Sequence, residues 1–447
     1  MRFVTTILAL MAAVVLQAAP LKCNYSSTDI SATDDEHVML AGFAARTKLS
    51  DGIHMPLRSH CLVITDGEQK ICIISNDLME TSPALTAELR DRISIATGLK
   101  RENILFHNIH THSAPRMGGS WVVLGAPNYF YKLRVSDAIV ANAVATINDD
   151  KAFRKFTMEV GRTTTDINGN RCEPAGPVDH DVYAVRILGR HGKPICAFIN
   201  LACHPVSMGP KSLLLSSDYS GVARSIIREK WGCEVFQFTG AAGNMDPVRG
   251  PQKVDYAEEC GKSLAASLEK VVFTKVSDRS TLKMFNNVAH LPYAVPEVTK
   301  EAVHAHADSI SVAYTTEFPR FADDVRRWEA QIIEEWDNPG KNYKSLDFHM
   351  TALNVDGIVF FFTQGEPFCE YQMTAREEIP GRTLIFAGYT NGQNSYLASK
   401  RGYEVRKGYE YETEQMHVYV KAPYPLSDKM PDVYQKAVSE TVAKVLR

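Results

Sequence analysis

The sequence predicts a mixed α/β protein: a largely parallel β-sheet core flanked by helices, with a metal site at the C-terminal ends of the strands. Three observations carry that prediction. Five apolar runs, Ile104–Ile109, Ile195–Cys203, Val235–Thr239, Ile358–Thr363 and Leu384–Gly388, are rich in β-branched and aromatic residues, as strands covered on both faces are. Segments with helical spacing alternate with them, which is the α/β pattern. Each run then passes into Gly, Pro or a metal-capable side chain, at the position where sheet enzymes keep their chemistry.

Taken in order, Met1-Arg2, the apolar stretch Phe3 to Leu16 and Gln17-Ala18-Ala19-Pro20 have the basic start, apolar middle and small residues of a secretory signal peptide. The apolar stretch is shorter than the roughly 20 residues of a membrane span. Residues 1–19 are therefore expected to be removed, leaving 20–447 as a single large domain that is secreted or periplasmic. Cys23 follows Lys22, which is not the small residue that lipid attachment wants. Cys61 to Thr65, Asp66-Gly67 and Ile71 to Ser75 read as a hairpin. A helix follows from Ser82-Pro83 to Gly98, with Leu85, Leu89, Ile93 and Ile95 as its apolar face. Further helices are expected over 129–147, 220–231, 256–272 and 318–336, the last with packed aromatics. No internal repeat is visible, and no linker divides the chain.

The 447 residues carry a formal charge of −3, with 23% charged and 45% hydrophobic residues. This is a globular composition with no basic tract, so nucleic acid is not expected as a partner. The nine cysteines are scattered without a metal-binding or small-domain pattern, and export would permit disulfides whose pairing the spacing does not reveal.

The chemistry starts at His110-Thr111-His112, where Ser113-Ala114-Pro115 stops the first run. Residues at i and i+2 of a strand point the same way, so two imidazoles can meet one divalent metal, and the spacing suits zinc. Two ligands do not make a site. Placing the strand ends together gathers His110, His112, His204, Glu366 and Tyr396 into one cleft. His304 and His306, in a polar helical stretch, read as solvated. Asp77, Asp218, Asn244 and Asp246 are candidates to orient ligands or to cap turns.

In sequence order, His110-Thr-His112-Ser-Ala-Pro, His204-Pro205, Ser216 to Gly221, Gly240 to Pro247, Gly365-Glu366-Pro367, Asn391-Gly392, Tyr396 and Tyr409-Glu410 resemble the catalytic domain of the neutral/alkaline non-lysosomal ceramidases over about residues 38 to 420. The resemblance implies a zinc ion held by His110, His204, Glu366 and Tyr396. It implies that His112, Arg171 and Tyr409 stand beside the metal as catalytic groups. His112 would be the general acid/base, and Arg171 with Tyr409 would face the tetrahedral intermediate. The implied reaction is hydrolysis of the N-acyl bond of ceramide or a related N-acyl lipid to a sphingoid base and a fatty acid, with peripheral membrane contact. Two departures from the family are expected to matter: no additional C-terminal immunoglobulin-like domain is expected, and Ser113 to Gly119 replaces the usual Ser-Gly-Pro-Gly-Gly. Detergent-dispersed or short-chain substrates are accordingly expected to be cleaved faster than membrane-embedded ones.

Three rival readings are set against this one. A serine hydrolase would use Ser113 or Ser217, neither of which sits in a nucleophile elbow. A zinc hydrolase could act on a non-ceramide amide or ester. A non-catalytic extracellular binding protein could keep the same fold.

Overall fold

The computed structural model describes residues 20–118, 126–248, 250–277, 280–313, 320–338 and 342–446. The expected leader at 1–19 and Gly119 lie outside the described residues. Three units of one design make up the fold. The first contains strands β1 (Lys22–Asp29), β2 (Arg58–Thr65) and β3 (Lys70–Asn76), helix α1 (Pro83–Thr97), β4 (Ile104–Asn108) and α2 (Tyr129–Asn148). In the second these become β5 (Thr157–Thr164), β6 (Asp181–Leu188), β7 (Pro194–Leu201), α3 (Asp218–Trp231), β8 (Val235–Thr239) and α4 (Val254–Leu268). The third runs β9 (Leu282–Pro292), the inserted helices α5 (Lys300–Ile310) and α6 (Phe321–Glu334), β10 (Ser345–Val355), β11 (Ile358–Thr363), α7 (Cys369–Glu377), β12 (Thr383–Ala387) and α8 (Met430–Lys444).

Each unit makes an antiparallel three-strand meander, and a helix then returns the chain so that the fourth strand runs parallel to the third. The strand orders β4-β3-β2-β1, β8-β7-β6-β5 and β12-β11-β10-β9 are the same order three times. The expected mixed α/β architecture with flanking helices is therefore present, with two corrections. Parallel pairing is confined to one pair in each main sheet: short hairpins make β2–β3, β6–β7 and β10–β11 antiparallel, as a hairpin must, and the longer connections before them also bring β1–β2, β5–β6 and β9–β10 together antiparallel. An internal repeat exists as strand pairing, although no repeat of residue types announces it.

Helix α1 shows why the local reading succeeded. The Ser82 hydroxyl accepts from the Leu85 amide at 3.1 Å, Pro83 stands in the first turn, and Gly98 closes the helix at φ 73°, as capping chemistry requires. Leu85, Leu89 and Ile93 are buried, but Ile95 is 85% exposed and does not belong to that face. α4 ends at Leu268 rather than at 272, and Val272 faces solvent.

The three sheets meet along their third and fourth strands. Leu62, Ile73, Phe198, Phe238, Phe360 and Phe362, two from each unit, belong to the shared core. Buried polar groups stitch the seam, since each needs a partner away from water. Asn200 on β7 donates to the Phe238 carbonyl at 2.9 Å and to the Phe386 carbonyl at 2.8 Å. His107 on β4 donates from Nδ1 to the Gly388 carbonyl at 2.9 Å and accepts the Thr239 amide at Nε2 at 3.1 Å. Burial pushes His107 down to about 3, so it stays a neutral tie between the three units. The loops after the inner strands are thereby gathered on one side.

Candidate metal centre

Each functional side chain follows a strand end. His110 stands two residues beyond β4, at φ 70°, a left-handed conformation costing a non-glycine residue on the order of 1–3 kcal/mol. The surroundings hold it there: its amide donates to the Leu78 carbonyl at 2.9 Å and its Nδ1 to the Met79 carbonyl at 3.0 Å. His204 stands three residues beyond β7; its amide donates to the Met245 carbonyl at 2.8 Å and its Nδ1 to the Ala242 carbonyl at 2.6 Å. With both Nδ1 protons committed to carbonyls, the Nε2 lone pairs of both rings point inward.

Glu366 meets those lone pairs. Its Oε2 lies 2.8 Å from His204 Nε2 and 3.4 Å from His110 Nε2, and its Oε1 accepts from Gln393 Nε2 at 2.5 Å. A two-residue parallel ladder pairs Glu366 with Tyr396, whose hydroxyl lies 3.4 Å from His204 Nε2. His112 Nε2 lies 3.3 Å from His110 Nε2, and the nitrogens of His110, His112 and His204 all fall within 4.8 Å of one another. His110, His204 and Glu366 are buried and His112 is half-buried.

The electrostatics suit a cation. Unprotonated imidazole nitrogens 2.8 to 3.4 Å from a carboxylate and from one another repel unless a proton or metal ion lies between them. Burial pushes His110 down to about 4 despite the Glu366 charge, and it holds His112 well below its ordinary value. Burial pushes the Glu366 carboxyl up, but His110, His204 and the Tyr396 hydroxyl outweigh it and keep it below the usual carboxylate range. At neutral pH the set is the neutral imidazoles of His110 and His112, the buried His204 ring, a carboxylate and a phenol, which is a donor set for a borderline metal such as zinc.

Arg171 joins the edge of this cluster. Its amide donates to the Asn244 carbonyl at 2.9 Å, and its guanidinium donates to Glu412 at 2.8 and 3.2 Å. The guanidinium also approaches Asp246 at 3.5 Å and lies 5.3 Å from the Tyr396 ring centroid. Tyr409 has another partner in this structure. Its hydroxyl donates to Glu173 at 3.0 Å, a carboxylate also held by Arg401. The tyrosine that reaches the centre is Tyr411, whose ring lies 5.9 Å from that of Tyr396 and which feels the charges of Arg171 and Glu366. Tyr411 opens a π-helical turn, Tyr411–Gln415, a wide local geometry common at functional sites.

Sequence reasoning also missed the support of His112. Gly42, at φ 87°, packs so closely on that ring that an added Cβ would lie 2.3 Å from His112 Cγ. Phe43 meets the ring edge-on at 4.9 Å. Arg46 donates to the Ala41 and Gly209 carbonyls at 2.8 Å and also to the His112 carbonyl. Ala41-Gly42-Phe43 was the one available signal, and a lone glycine does not say what it touches. Of the four orienting candidates, Asp246 reaches the site, 3.6 Å from His204 Nδ1. Asp77 pairs with Arg224 at 2.8 Å, Asp218 accepts the Ser207 and Met208 amides, and Asn244 accepts the Cys369 amide. His304 is exposed beside Glu329, whereas His306 is not solvated as expected but meets His417 at 3.0 Å.

The serine alternative fails on geometry. The Ser113 and Ser217 hydroxyls have no hydrogen-bond partner among the described residues, so neither has a base. Ser216 does meet a histidine, His54 at 3.0 Å, but is wholly buried.

The model of a family described as "Neutral/alkaline non-lysosomal ceramidase, N-terminal" matches residues 25–241, the span that holds His110, His112, Arg171 and His204. The fold is similar to "Crystal Structure Analysis of neutral ceramidase from Pseudomonas aeruginosa", at 16% identity over 96% of this chain and 75% of that one, with a TM-score of 0.70. It is also similar to "Ceramidase complexed with C2", at 14% identity over the same shares, with a TM-score of 0.67. Among the described residues no helix is long and apolar enough to cross a membrane.

Proposed function

The chain belongs to the neutral/alkaline non-lysosomal ceramidase family, and from that premise we propose that it is a zinc-dependent amidohydrolase acting on the N-acyl bond of ceramide or a related N-acyl lipid. The observation that carries the proposal is the convergence of His110, His204, Glu366 and Tyr396 from four strand-end loops. These four would hold the metal.

An amide is a poor electrophile with a poor leaving group, so its hydrolysis near neutral pH needs an activated water, stabilisation of the oxyanion and a proton for the departing nitrogen. When bound, zinc lowers the pKa of water in an open position to about 7 and polarises the carbonyl. His112, the least buried of the three histidines, takes the proton of the attacking water as the water oxygen bonds to the carbonyl carbon and the π pair moves onto oxygen. Arg171 and Tyr411 face that charge. The carbonyl then re-forms, the C–N bond breaks, and His112 returns the proton to the amine, releasing a fatty acid and a sphingoid base. The leader-like residues 1–19 support export, and peripheral membrane contact would bring the lipid to the cleft.

Metal analysis of the purified protein, paired with hydrolysis of a panel of N-acyl lipids, tests this reading. One zinc per chain with release of fatty acid from N-acylsphingoid substrates is expected. Zinc without such release, but with cleavage of another amide or ester, would keep the metal hydrolase and remove the ceramidase. Full activity without metal would overturn both.

A further inference from the structure

Tyr389 stands at the centre without a part in the reaction above. Its backbone lies at φ 53°, held by its amide donating to the Gly365 carbonyl at 2.9 Å and its carbonyl accepting the Asn108 amide at 3.2 Å. Loops of the first and third units therefore maintain a conformation that a tyrosine avoids when free. The ring stacks on His110 at 4.5 Å and stands edge-on to His204 at 6.0 Å. The residue is 3% exposed, yet its hydroxyl has no hydrogen-bond partner among the described residues. The charges of Glu366, Arg171 and Asp246 all act on it, so it lies among the groups of the centre.

The internal repeat makes the placement systematic. Tyr389 is two residues beyond β12, as His110 is two residues beyond β4, and both have positive φ. The position that delivers a candidate ligand in the first unit delivers an unsatisfied phenol in the third. A buried hydroxyl is normally paired, and a phenol with an ordinary pKa near 10 is a donor at neutral pH. What it lacks is an acceptor.

We propose that Tyr389 is a further catalytic residue, whose hydroxyl donates a hydrogen bond to the acyl carbonyl oxygen of the bound N-acyl substrate and holds it more tightly as that oxygen becomes an oxyanion. The proposal rests on the hydrolase reading above. No proton leaves the phenol; the bond is preorganised before charge develops, which is what makes such donors effective.

The test is Tyr389→Phe in the full chain, assayed on a short-chain N-acylsphingoid substrate. Loss of one such donor should lower kcat by about 10²- to 10³-fold, with KM within about threefold and metal content unchanged. Because the hydroxyl has no partner to lose among the described residues, the melting temperature should hold or rise. Calorimetry should show a tetrahedral phosphonate analogue binding about 10- to 100-fold more weakly, while a planar N-alkyl amide analogue binds as before. Unchanged kcat, or a kcat that falls together with metal content or melting temperature, would overturn the proposal and leave the hydrolase standing. A wild-type protein that hydrolyses no N-acyl substrate overturns the reading and the proposal together.

Discussion

The second unit and its two neighbours share one trace but give the centre different things. Two residues beyond the fourth strand stand His110 in the first unit and Tyr389 in the third, both projecting rings; the second unit has Ala241. Its loop supplies space and a carbonyl instead. A Cβ at Gly240 would lie 2.6 Å from Gln372 Oε1, and one at Gly243 would lie 2.5 Å from the Glu366 carbonyl. The bare backbone lets the Glu366 loop close in, with the Gly243 amide donating to the Pro367 carbonyl at 2.9 Å and the Ala242 carbonyl fixing the His204 tautomer. At three residues beyond the third strands the assignment rotates: a Met79 carbonyl, then the His204 ring, then the Glu366 carboxylate. The repeated scaffold thus sets the seats, and residue size and type decide which become ligands and which make room.

The contrast can be broken most decisively at His204. His204→Ala should reduce bound metal from about one per chain to near zero and abolish hydrolysis with the fold retained, as metal analysis and circular dichroism would show. Retained metal and activity would mean that the second unit contributes no ligand.

His112→Ala should keep the metal and lose about 10²- to 10⁴-fold in kcat, the usual scale for a general acid/base. Because its nitrogen also lies within 4.8 Å of the other two histidines, loss of metal in this variant would make it a ligand instead.

Gly243→Ala tests the space-giving role. Its Cβ would meet backbone rather than a flexible side chain, so Glu366 must shift, and a displacement near 1 Å can cost about 10²-fold in rate. Chelator competition should show weaker metal retention than in the wild type; wild-type retention and rate would deny the loop that role.

The smallest effects should separate the two tyrosines of Tyr409-Glu410-Tyr411. Tyr411→Phe is expected to lower kcat by about tenfold, in line with a weakened transition-state contact. Tyr409→Phe should change it less than about twofold, because its hydroxyl serves Glu173, away from the reacting groups. Equal effects would restore Tyr409 to the site.

Much of this was legible in the residues. The apolar runs announced strands because only a segment covered on both faces can be apolar throughout. His110, His112, His204, Glu366 and Tyr396 stood out because metal-capable side chains that follow such runs lie near strand ends whatever the sheet's connectivity, and the choice of four of them as ligands came from the family resemblance. Ser82, Pro83 and Gly98 marked a helix because capping is local chemistry. The direction of pairing was not legible, since an apolar run reports coverage and not its neighbour's orientation. Nor was the choice between Tyr409 and Tyr411, two residues apart in a segment whose turn geometry no periodicity reveals.

What the sequence determined by itself, then, was part of the inventory: one hairpin, the five most apolar strands and the metal-capable groups that follow them, which are written in burial and local turn chemistry, whereas β1, β5, β6, β9 and β10 carried no such signal. The tertiary structure alone decided that three units repeat, that Gly42 and Arg46 seat His112, and that Tyr389 meets His110 with its hydroxyl unpaired among the described residues. Those features arise from backbone pairing and close approach between segments far apart in the chain, and neither requires a particular residue pattern in any one of them.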